Sequence, residues 1–203
     1  VIVSCYHFGE QHWQDKIDYI KQPSLFYTFY GATIFLLLFS FHNSEVEDII
    51  FEISSVRIPF RIFKILLLSV GSVLLIFMFL KIKNFNFFLI EVILLVVLAL
   101  LFWKGSLLFG FGLYFVLWHS IPSINSQIKY LYGAKEHSPY KMYFKSAFLY
   151  WILALIIMVL SYFFGSLPKD QYLSIFFSFL AAITFPHVVV MGLMFHSHKH
   201  HSN

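Results

Sequence analysis

Cysteine occurs once, as Cys5, so an intrachain disulfide and any thiolate-built metal site are excluded. Charge is scarce too: Asp, Glu, Lys and Arg make up 12% of the 203 residues, about half the share of a soluble globular chain. Water is therefore the wrong solvent for most of this surface. The hydrophobic fraction is 60%, and several runs exceed the roughly 18 apolar residues needed to cross a hydrocarbon core as helix. Only helices or a closed barrel satisfy backbone groups in lipid. Barrel strands alternate apolar and polar residues, whereas Ile65 to Leu68 and Ile93 to Leu98 are apolar throughout. The expected fold is all-α, a multi-pass transmembrane bundle.

No internal repeat or domain boundary is visible, so residues 1–203 read as one membrane-embedded domain ending in a polar, histidine-rich tail, 196–203. About seven segments are expected: one ending near Trp13, then Leu25 to Phe41, Ile62 to Leu80, Phe85 to Trp103, Leu107 to Trp118, Phe144 to Phe164 and Tyr172 to Phe195. The first looks cropped, since the chain opens on Val1 in an apolar run; the expectation is of a fragment lacking at least one earlier helix. Between His42 and Arg61 acids alternate with Val46, Ile49 and Ile50, which predicts a short helix lying on the surface. His119 to Lys145 reads as a long connection.

The net charge of +4 comes from lysines near segment ends, the habit of membrane-flanking residues rather than of a nucleic-acid footprint. Lys16, Lys21, Lys81, Lys83, Lys129, Lys135, Lys141, Lys145 and Lys199 fall on one side of the alternating topology. Arg57, Arg61, Lys64, Lys104 and Lys169 fall on the other. The positive-inside bias places the C-terminus in the cytoplasm of a cell-membrane protein.

Ionisable groups inside membrane helices are costly and are functional candidates by default. The short list is His7, Glu10, Glu91, His119 and His187. Counted along their helices at ~1.5 Å per residue, they lie roughly 0 to 14 Å from boundaries that all face one side of the membrane. Three neutral imidazoles meeting there would suit Fe(II), Zn(II) or Cu, and not Mg(II) or Ca(II). Glu91, at similar depth, and Glu10, three residues after His7, are candidates to accept the second N–H of a ligating ring. The plainer roles are cross-helix hydrogen bonding for the histidines, snorkelling for Glu91 and an interfacial place for His119 beside Trp118. His12 lies off the His7 face and reads as structural, and the tail histidines His196, His198, His200 and His201 form no preorganised site. The 27 phenylalanines suit an apolar ligand and equally suit lipid, so they discriminate little.

Three blocks at these same positions resemble the Brp/Blh-type β-carotene 15,15'-dioxygenases: Tyr6-His7-Phe8-Gly9-Glu10 with Trp13, then Phe111 through Tyr114-Phe115 to Trp118-His119-Ser120, and Phe185-Pro186-His187. Glu91 also fits the pattern. The resemblance implies a multi-pass membrane enzyme that cleaves β-carotene with O2 into two retinals. It further implies histidine-bound Fe(II) with His7 and His119 as ligands, a further ligand in an earlier helix, and a product that a retinal-binding rhodopsin would consume. Members commonly carry a second histidine four residues after the Trp-His-Ser histidine; here that position is Ser123, so His187 could serve, or an extra coordination position stays open. An oxygenase of another carotenoid keeps the same features. A di-iron hydroxylase is disfavoured by the isolated histidines, and a retinal-binding rhodopsin by the lack of a lysine between Tyr172 and His198. A histidine-lined metal or proton transporter is the non-enzyme alternative, without the repeated halves such proteins often show.

Overall fold

In the computed structural model, which describes residues 1–17, 20, 23–133, 138–164 and 171–201, the described elements are helical. The helices are α1 (Ile2–Trp13), α2 (Ser24–Phe41), α3 (Asn43–Ser54), α4 (Phe60–Lys81), α5 (Phe85–Lys104), α6 (Leu107–Tyr114), α7 (Ile121–Tyr132), α8 (Pro139–Phe164) and α9 (Tyr172–His201). Six stretches are long and apolar enough to cross a membrane: α2, α4, α5, the continuous rod Leu107–Tyr132, and the Pro139–Ile157 and Tyr172–Leu193 parts of α8 and α9. With the shorter α1, this is the expected all-α multi-pass bundle.

Burial runs as lipid demands. The outer faces of α4, α5 and α8 expose large apolar side chains such as Leu68, Leu80 and Tyr150, which need no cover when hydrocarbon is the solvent. The tight packing lies between α1 and α2, where small residues replace apolar driving force with close backbone approach. A Cβ on Gly9 would stand 1.9 Å from the Tyr27 carbonyl oxygen, and one on Gly31 would stand 2.0 Å from that of Cys5. Trp13, Phe26 and Tyr30 lock this pair, and Leu74, Met78, Leu98 and Phe102 extend the core into α4 and α5.

Two segments end differently from expectation. The fifth does not stop at Trp118: α6 passes through a π-helical turn, Phe115–Ser120, directly into α7. The reason is Pro122, which cannot donate to the ladder and whose ring crowds the carbonyl four residues back. Widening the preceding turn accommodates it without ending the helix, and Pro122 then occupies the first turn of α7, where a missing N–H is tolerated. Most of the expected long connection is therefore helix. α9 likewise runs on to His201; the side chains of residues 194–201, and residues 202–203, lie outside the described set, and the expectation about the tail histidines falls there. Lys21, Lys135 and Lys169 of the charge count fall outside it too.

α3 is the surface helix foreseen from its pattern. Val46 is buried, and Ile49 and Ile50 pack against the core. Glu52 accepts a hydrogen bond from the Ser174 hydroxyl of α9. At the far end of α2 the His42 ring lies 3.1 Å from the Leu38 carbonyl and 2.9 Å from that of Gly105, tying α2 to the α5–α6 junction.

Candidate metal centre

Each histidine of the group is delivered by a different piece of backbone chemistry. His7 projects from α1 two residues before Gly9, whose lack of a Cβ draws α1 against α2, and it is fully buried. His119 sits in the π turn upstream of Pro122 and is buried. An inserted residue in a helix turns the side chains beyond it to a new face, which is why such turns recur at functional sites. His187 follows Pro186 inside α9, where the proline removes one ladder bond.

These three rings meet. Centroid separations are 5.1 Å for His7 to His119, 5.1 Å for His7 to His187 and 5.9 Å for His119 to His187. One nitrogen from each lies within 4.8 Å of the others. A shared ion about 2.1 Å from each nitrogen needs nitrogens roughly 3.0 to 3.4 Å apart, so small ring rotations separate this arrangement from a coordinating one. The decisive feature is what the rings lack. Among the described residues, His7 Nδ1 and Nε2, His119 Nδ1 and His187 Nε2 are buried without a hydrogen-bond partner. Orphaned buried polar atoms carry a desolvation penalty of about 1–3 kcal/mol each, and four in one place make sense as a site for a cation. The donor set, imidazole nitrogen alone, fits a first-row transition metal such as Fe(II).

Two cavities flank the rings. One, of about 320 Å³, is apolar and lined by Phe35, Phe39, Ile49, Ile50, Phe111 and Phe177 among others. The second, of about 430 Å³, holds the three histidines with Ser120, Ser123, Gln127 and Tyr143. Phe8, Phe115, Leu180 and Thr184 line both. The Phe8 ring lies 4.5 Å and the Phe115 ring 5.1 Å from the His119 ring, so the partition between the cavities abuts the imidazoles.

The acids stand elsewhere. Glu91 was expected to back a ligating histidine; instead both its oxygens are engaged on α1 and the turn after it, with His12 Nε2 at 2.8 Å and Lys16 Nζ at 2.8 Å. Depth counted along a helix says how far a residue lies from the boundary and not which neighbour it faces, and Glu91 faces the end of α1. His12, read as structural, is this pair's partner and stacks on Tyr30 at 4.8 Å. Glu10 accepts a hydrogen bond from the Tyr6 hydroxyl at 2.6 Å. Ser123 lines the histidine cavity and accepts from Gln127 Nε2 at 3.2 Å; a hydroxyl there does not replace an imidazole.

Gln11, not among the expected site residues, donates from Nε2 to the His119 carbonyl at 3.0 Å. Its signal was available: a polar residue four positions after His7 in an apolar helix shares the histidine's face.

A helical membrane protein with a buried three-imidazole pocket beside an apolar cavity is the class that fold and site define. The family model for beta-carotene 15,15'-dioxygenase matches residues 1–195, and the chain belongs to that family. Comparison with curated proteins and with solved structures finds no match. Membership implies a dioxygenase acting on a carotenoid.

Proposed function

We propose that this protein cleaves β-carotene with O2 at the central 15,15' double bond, giving two molecules of retinal, and that His7, His119 and His187 hold an Fe(II) ion. The observation that carries the reading is the set of buried imidazole nitrogens without partners, gathered where an apolar cavity meets a histidine-lined one. Bound Fe(II) would supply an open coordination position for O2 and the electronic means to bring a spin-paired hydrocarbon and O2 into reaction.

The residues of the chain do the rest. A hydrocarbon substrate offers no polar group to grip, so its position is set by shape: Phe35, Phe39, Phe111 and Phe177 give one arm an aromatic-lined slot. Phe8 and Phe115, at the partition beside the imidazoles, would hold the middle of the polyene. Central cleavage needs room on both sides of the reacting bond, which the two cavities supply. The apolar lining also keeps water from the reacting bond. Each product takes one oxygen atom as its aldehyde, so the reaction balances without a further reductant. Substrate and product both partition into lipid, which suits an enzyme built as a bundle of apolar helices. Location in the cell membrane with a cytoplasmic C-terminus, and delivery of retinal to a retinal-binding rhodopsin, complete the reading, supported by the lysine bias and the product's insolubility.

The test is expression in carotene-producing bacteria with extraction of retinoids. The parent chain should bleach the cells and yield retinal, while His7→Ala, His119→Ala and His187→Ala each lose iron and product at equal membrane levels. Retinal formed by any purified alanine variant at the parental rate would remove that histidine from the site.

A further inference from the structure

The π turn that carries His119 is a weak point in the helix ladder. Pro122 contributes no N–H just downstream, and the ladder there is taken up by longer-range pairing, the Ile121 N–H reaching the Val116 carbonyl. The direction of the His119 imidazole follows from how this irregular turn is set. A contact from outside the helix on that backbone would help fix it.

Gln11 makes that contact. It is on α1, buried at 9% exposure, and its Nε2 donates to the His119 backbone oxygen at 3.0 Å. The acceptor is a carbonyl, so the amide's orientation is settled: the nitrogen faces His119. Gln11 lies four positions after His7, which puts both on one face of α1, with the Gln11 side chain leaning back over the preceding turn. One rigid helix thus carries both the His7 ring and a clamp on the backbone of His119. No charged group is involved, which suits a site inside apolar surroundings.

We infer that Gln11 is a positioning residue of the metal centre: by holding the His119 carbonyl to the face of α1 that bears His7, it sets the separation of those two imidazoles. The inference rests on the proposed reading of His7 and His119 as metal ligands. It requires no contact between Gln11 and the metal. The effect should therefore appear in affinity and coordination geometry rather than in the presence of the fold.

Gln11→Met keeps side-chain length and helix preference while removing the donor. Purified in detergent and loaded with Fe(II), this variant should bind iron about 10-fold or more weakly by chelator competition, in line with the losses seen when groups that orient ligands are removed. The electron paramagnetic resonance spectrum of its ferrous nitrosyl adduct should shift or broaden relative to the parent, a readout that general destabilisation does not move. Gln14→Met, the same change one turn on and away from the site, should match the parent in both measurements. Gln11→Leu, a second apolar helix former, should repeat the Gln11→Met result and stands in if that protein fails to fold. Parental iron affinity and an unchanged nitrosyl spectrum in either folded Gln11 variant would overturn the inference while leaving the metal site standing. A folded parent that binds no iron would overturn the metal site and this inference together.

Discussion

Replacing Gly9 by alanine should disable the metal centre from a position that touches no ligand. The added Cβ would lie 1.9 Å from the Tyr27 carbonyl oxygen, 2.5 Å from its carbon and 2.7 Å from the Tyr27 Cα. All three are backbone atoms of α2, so no side chain can swing aside. Ordinary contact begins near 3.4 Å, which requires α1 and α2 to part by about 1.5 Å along that line. His7 is two residues away on α1 and would travel with it, while metal sites tolerate deviations of about 0.2 Å in ligand distance. Overpacking of this kind costs about 1–3 kcal/mol, enough to lower thermal stability without abolishing folding. The assay is iron content per chain after loading, alongside thermal unfolding in detergent. Gly9→Ala should fall well below parental iron occupancy, whereas Gly112→Ala and Gly192→Ala, whose new Cβ atoms meet nothing within 4 Å, should load normally. Parental iron content and stability in Gly9→Ala would refute both the close approach of α1 to α2 and its role in placing His7.

Two further outcomes separate substrate space from metal and fold. Ala181 lines the apolar cavity and is absent from the lining of the histidine cavity, so Ala181→Phe should fill the slot, cutting retinal formation about 10-fold or more with iron content unchanged; full turnover would show that the polyene lies elsewhere. Lys16→Met leaves the buried Glu91 carboxylate (2% exposed) with His12 alone, which should lower stability by roughly 1–3 kcal/mol, discounted because the Lys16 side chain is one-third exposed. Adding Glu91→Leu should restore most of that loss in thermal unfolding, and a double variant no more stable than Lys16→Met would show that the pair's charge is not what holds α5 to the end of α1.

Long apolar runs, uninterrupted by charge, leave the backbone no stable option in lipid except hydrogen-bonded helix, so the bundle and most of its segments were readable from composition and run length alone. A constant rise per residue places a residue along its helix once the helix end is known; for His119 the end expected at Trp118 was wrong, because the rod Leu107–Tyr132 runs on past it. Rotation about each helix axis is not readable that way, because it depends on which faces pack. Glu91 shows the difference, turned toward His12 and Lys16. His119 shows it again, since Pro122 looked like a helix end and is instead absorbed by a π turn that re-aims the ring. Gln11 shows it a third time: its spacing from His7 was visible, but its acceptor is a carbonyl 108 residues away, a pairing that exists once α1 lies against the π turn. Periodicity and solvent choose the elements; packing between them chooses which polar groups meet.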